Sequence, residues 1–176
     1  MNKTHRTIAL LVLLGACAEK KSDNPRVELT DVGFSLHLPP AMQAALEAFA
    51  PGFRPIRASS FRSDVSQAAA SSGPGGMPAV STALGDFDRD GTIDAVVEGT
   101  TPGDSALRVI VIMNGAKPAA QEVTRYLVYD ADAVGVYLSI PPATTPGAFA
   151  VVAYPDSTVV YTYANGGFQG RNVGNP

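Results

Sequence analysis

From residue 79 onward the chain is a succession of short apolar, β-branched runs, separated by turn signals and joined by connections of only a few residues. The runs fall at 79–84, 93–97, 107–113, 123–129, 134–140, 148–153, 159–163 and 168–173. A parallel crossover needs a connection of about a dozen residues or more, so links this short predict antiparallel pairing. Asn165-Gly166 is the sharpest local signal, because both residues tolerate the positive φ that a two-residue hairpin demands. Residues 107–113, LRVIVIM, are almost continuously apolar, which marks them as a central strand packed on both faces.

The N-terminal half is built differently. Residues 32–38 alternate loosely, as a short strand would, before Pro39 and Pro40 stop them and open a helix. Met42, Ala45, Leu46 and Phe49 then share one helical face, and Pro51-Gly52 ends the segment. That helix carries no lysine or arginine, so its apolar stripe is expected to cover a sheet, not to lie on a membrane. Residues 66–78, rich in Ser, Gly and Pro, read as a mobile loop dividing the helical part from the β-rich remainder. The expected fold class is α+β, mainly antiparallel β: a single small sheet domain with one short covering helix.

Composition narrows the function classes. The chain has 176 residues, is 45% hydrophobic and 16% charged, and carries a formal charge of −3. Its hydrophobic share suffices for an ordinary core, and the acidic balance argues against a nucleic-acid partner. One cysteine allows neither an internal disulfide nor a cysteine-rich zinc site.

The N-terminus reads as an address. Lys3 and Arg6 lie in a short polar start, an apolar run from Ile8 to Leu14 follows, and small residues precede Cys17. The run is about half the roughly twenty residues that span a bilayer, so it suits export better than permanent insertion. Leu14-Gly15-Ala16-Cys17 resembles the lipobox of bacterial lipoproteins. The resemblance implies cleavage before Cys17, acylation of that residue and anchorage in the envelope. Ala18 in place of an aspartate implies the outer membrane, on its periplasmic or its outer face. Residues 1–16 are then the signal peptide, 17–26 the lipidated cysteine and a polar tether, and 27–176 the β-rich domain.

The acids concentrate in one window. Asp86, Asp88, Asp90, Asp94 and Glu98 face a single counter-charge, Arg89, and the first four form DxDxDGxxD with Gly91 at the sixth position. Two unit charges about 4 Å apart repel by about 1 kcal/mol in water and about 4 kcal/mol at an effective dielectric near 20. A divalent cation reverses that sign, and oxygen donors without thiolate or imidazole favour Ca²⁺ over Zn²⁺ or copper. The twelfth position of the motif is Val97, where an EF-hand needs a bidentate glutamate, and glycines and prolines on both sides leave no room for its helices.

With strand on both sides, residues 84–97 resemble the calcium loop of FG-GAP and VCBS repeats. The similarity covers residues 79–99 and implies Asp86, Asp88, Asp90, Thr92 and Asp94 as ligands of one Ca²⁺, with Thr92 contributing its carbonyl. There is one good copy of the motif, whereas a propeller needs several blades, so a borrowed calcium hairpin is expected and not a full propeller.

Other chemistry has little to work with. After signal removal His37 is the sole imidazole, and no GxSxG elbow or phosphate-cradling glycine loop occurs. Asp104, Asp130, Asp132 and Asp156 sit at turn signals, where aspartate is favoured for local hydrogen bonding. Tyr161 and Tyr163 would share one strand face, either packing there or offering a surface to a ligand. The leading expectation is a noncatalytic, lipid-anchored envelope protein with a structural Ca²⁺, interacting with another envelope protein or a glycan. The alternative is a small secreted calcium-dependent hydrolase, acting on glycans through paired carboxylates.

Overall fold

The computed structural model of the chain describes residues 24–30, 33–72, 81–127, 134–141 and 146–175. The signal peptide, Cys17 and nearly all of the tether lie outside these residues, as do Asp130 and Asp132. None of the described helices is long and apolar enough to cross a membrane.

The strands divide between two large sheets and a separate hairpin. β1 (Arg26–Thr30) and β2 (Gly33–His37) pair antiparallel with each other alone. β1 begins at Arg26, the last residue of the expected tether. In the five-stranded sheet, β5 (Asp94–Thr100) pairs with β6 (Ala106–Met113), and β6 pairs with β7 (Ala119–Leu127). Along the other edge of β5, β4 (Thr82–Gly85) covers its first half and β3 (Arg54–Pro55) its end. The second sheet is a meander of β8 (Val136–Ser139), β9 (Ala148–Ala153), β10 (Ser157–Ala164) and β11 (Gly167–Gly174). Every ladder within these sheets is antiparallel, as the short connections require. The β10–β11 hairpin turns at Asn165 and Gly166 with φ of 54° and 82°.

The small, mainly antiparallel sheet domain is built from two large sheets, and the physical reason is that β6 is apolar on both faces. Ile110 and Ile112 join Ala95 and Val97 of β5 against α1 (Pro40–Phe49), which contributes Met42, Leu46 and Ala50. Leu107, Val109 and Val111 point the other way, into a larger core shared with Leu138, Phe149, Val151 and Tyr161 of the second sheet. One helix covers only one face, and the remaining apolar face requires the second sheet.

α1 starts as its prolines dictate, with Pro39 at the N-cap and Pro40 at the first helical position, where no N–H is needed. It is not the sole helix. The first half of the stretch expected to be a loop, residues 66–72, belongs to α2 (Ser63–Ser72), and residues 73–78 of it lie outside the described part. Alanines 68–70 favour helix, Asp64 complements the first turn, and Val65 and Ala69, one turn apart, are buried in the larger core. Composition rich in small residues concealed this short buried stripe.

Candidate metal site

β4 and β5 form a hairpin closed by the Gly85–Asp94 pair, and the aspartate loop is its connection. Two residues in the loop have positive φ: Gly91 at 90° and Arg89 at 66°. Such turns let alternate side chains converge, and ligand oxygens of Asp86, Asp88 and Asp94 all lie within 4.8 Å of one another. Opposed oxygens around a cation bound at 2.3–2.6 Å stand about 5 Å apart, so these three can hold a metal ion together.

Asp94 is the most constrained of the three. It is fully buried, its Oδ2 accepts hydrogen bonds from the Phe87 N–H at 2.9 Å and the Asp88 N–H at 3.4 Å, and its Oδ1 accepts one from the Asn114 N–H at 2.8 Å. Asp86 Oδ2 accepts from the Gly91 N–H at 3.1 Å, whereas Asp86 Oδ1 is buried without a hydrogen-bond partner among the described residues. Asp88 Oδ1 accepts from the Asp90 N–H at 3.1 Å. An orphaned carboxylate oxygen beside two other carboxylates fits a cation, because a buried acceptor otherwise has a donor.

The remaining two expected ligands are placed differently. The Asp90 carboxylate turns to Thr92, accepting from its N–H at 2.8 Å and facing its hydroxyl at 2.6 Å. Thr92 Oγ1 also lies in very short contact with the Asn114 carbonyl, so one hydroxyl proton stands between two acceptors. Asp90 is thus outside the trio, and the loop is braced against the turn that follows β6. Asn114 could not be found from the motif, because its backbone contacts carry no side-chain signature.

Electrostatics separates the acids. Burial raises Asp88 above the ordinary carboxylate value, and repulsion from Asp90 and Asp86 adds to the shift. Burial also raises Asp94, although the N–H groups of Asn114 and Phe87 pull it back. Asp90 is lowered by its bonds from the Thr92 hydroxyl and N–H. Arg89, the one nearby cation in sequence, sends its guanidinium outward to donate to the Pro146 carbonyl at 2.8 Å. It ties the loop to the segment entering β9 and does not neutralise the trio. Glu98 also leaves the acidic window: it is fully buried in β5, away from the loop.

The other sequence candidates are occupied locally. Asp104 Oδ1 accepts from the Ala106 N–H at 3.0 Å, and Asp156 is exposed in the turn before β10. His37 Nε2 lies 3.0 Å from Glu28 Oε2 across the β1–β2 hairpin. Tyr161 is buried, stacked on Phe149 with ring centroids 5.3 Å apart, and Tyr163 packs edge-on against Phe168. No protein-family model matches the chain, and comparisons with curated proteins and with solved structures return no match.

Proposed function

We propose that the β4–β5 loop binds Ca²⁺ and that the chain is a noncatalytic, lipid-anchored protein of the bacterial cell envelope. The observation that carries the metal reading is the convergence of Asp86, Asp88 and Asp94 within 4.8 Å. Their donors are hard oxygens in a loop with several backbone carbonyls at hand, which suits a flexible, many-membered calcium shell. Asp86, Asp88 and Asp94 would each supply an oxygen, with the Thr92 carbonyl, the second oxygen of Asp90 and water completing the set. The ion's contribution is electrostatic: it neutralises the clustered charge and so stabilises the hairpin.

Anchorage rests on the sequence, in which a charged start, an apolar run and LGAC agree on Cys17. The binding-module reading over the hydrolase is supported by Asp104 and Asp156, which occupy turns, where aspartate serves local hydrogen bonding. The partner class is another envelope protein or a glycan.

Calorimetric titration of the full chain with CaCl₂ tests the metal. Extracellular calcium modules bind with Kd of about 10⁻⁴ to 10⁻³ M. Calcium at ten times Kd should raise stability by about 1.4 kcal/mol, and Asp88→Ala should abolish both the heat and the stabilisation. A melting curve unchanged between chelator and millimolar calcium overturns the assignment. Incorporation of a labelled fatty acid, lost in Cys17→Ser, tests the anchor.

A further inference from the structure

Glu98 stands in the middle of β5 and shares a strand face with Val96, which belongs to the core between the sheets. Its side chain is fully buried, and among the described residues neither carboxylate oxygen has a hydrogen-bond partner. A native core rarely leaves even one such oxygen unmatched, and an ionised carboxylate there costs far more than a missing hydrogen bond.

Among the described residues, the surroundings offer no counter-charge. Directly opposite on β6 is Val109, and beyond it on β7 is Thr124. From β7 and β10, Tyr126 and Tyr161 enter the same core, and the Tyr126 phenol is electrostatically coupled to both Tyr161 and Glu98. β8 adds Tyr137, and α2 presents the apolar side chains of Val65, Ala68 and Ala69. The titratable side chain that interacts with Glu98 among the described residues is thus the Tyr126 phenol, which carries no positive charge. Among the described residues, no arginine, lysine or histidine pairs with Glu98, and burial alone holds its carboxyl well above the usual range.

Its backbone sits at a junction. The Glu98 N–H donates to the Ser81 carbonyl at 2.9 Å, and its own carbonyl accepts from the Ile56 N–H at 3.1 Å. One peptide position thus ties the start of β4 and the exit of β3 to the edge of β5.

We propose that Glu98 is a proton-operated latch in the core: as the neutral acid it lets the sheets close over β5, and loss of its proton opens that seam locally at Ser81 and Ile56. For a carboxyl whose folded-state affinity for protons exceeds that of the unfolded chain, the stabilisation is complete below the unfolded pKa. It is lost as pH rises through the folded value. Over that window the opening constant should grow by up to about tenfold per pH unit.

Two measurements on the full chain test this, at constant calcium so that the aspartate loop does not contribute to the difference. Carbon-13 NMR of the glutamate side-chain carboxyls should show one resonance, absent in Glu98→Gln, that titrates well above all the other glutamates. A midpoint that falls among those of the other glutamates overturns the latch. Hydrogen exchange at the Ile56 and Glu98 amides, corrected for intrinsic pH dependence, should accelerate with rising pH in the native protein and stay level in Glu98→Gln. Parallel pH dependence in the two proteins overturns it. If Glu98→Gln does not fold, Glu98→Met provides the same comparison, and the NMR midpoint of the native chain decides alone.

Discussion

Asp94 and Asp88 belong to the same trio but do different work. Asp94 accepts three backbone N–H groups and so shapes the loop before any ion arrives, whereas Asp88 accepts one. Asp94→Ala should therefore cost about 1–3 kcal/mol even in chelator, because it strands buried donors. Asp88→Asn should melt near the native temperature in chelator and lose the calcium response. Denaturant unfolding with and without calcium separates the two. The pH dependence has a definite sign as well. Without metal, burial and repulsion raise Asp88 and Asp94 above 3.8, so their stabilising contribution is present below the unfolded value and lost as pH rises through the folded one. Calcium requires the ionised forms, so its affinity should fall as pH drops through the same range. Titration calorimetry at pH 7 and pH 5 should give a weaker Kd at the lower pH.

At the scale of elements, α1 was legible and α2 was not. The i, i+3, i+4, i+7 spacing located α1, and Met42 and Leu46 are indeed its buried residues. Phe49, at the end of the same stripe, is instead 41% exposed, with the Arg108 guanidinium 5.6 Å above its ring. Met42→Ala should destabilise the protein by about 2–5 kcal/mol, as truncation of a fully buried core residue does, and equilibrium unfolding measures it. Gly99 imposes a second constraint that no periodicity reveals. A Cβ there would lie 2.2 Å from the Arg54 carbonyl and 2.5 Å from the Phe53 ring. Gly99→Ala should push β3 off the edge of β5 at a cost of about 1–3 kcal/mol, read as a lower melting temperature.

Across the whole molecule, the aspartate loop adds a polar link between two sheets that already share a core. Arg89 reaches from the loop to the Pro146 carbonyl, and Gly147 next to it has a φ of 69°, with a Cβ there coming within 3.0 Å of the Arg89 Nε. Arg89→Ala should leave calcium binding intact while accelerating hydrogen exchange at the start of β9 around Ala148. Exchange equal to that of the native chain would mean the link carries no load. On the outer face of the five-stranded sheet, Glu122 bridges Arg108 and Arg125 between β6 and β7. This cross-strand network helps hold the register past the bulge at Val109/Ile110.

What the sequence by itself determined is local. Alternation and turn chemistry located the strands from β4 to β11, the prolines and stripe located α1, and the DxDxDGxxD spacing located the loop, because each depends on residues only a few positions apart. Tertiary structure alone decided how those strands divide into two sheets, and it did so through β6, whose two apolar faces demand two different partners. It also decided which acids converge. Asn114, twenty positions beyond Asp94, engages both Asp94 and Thr92, while Asp90 turns to Thr92 and Glu98 is carried into the core. A carboxylate's charge, partners and exposure are set by what packs against it from distant parts of the chain, and linear spacing carries no record of those contacts.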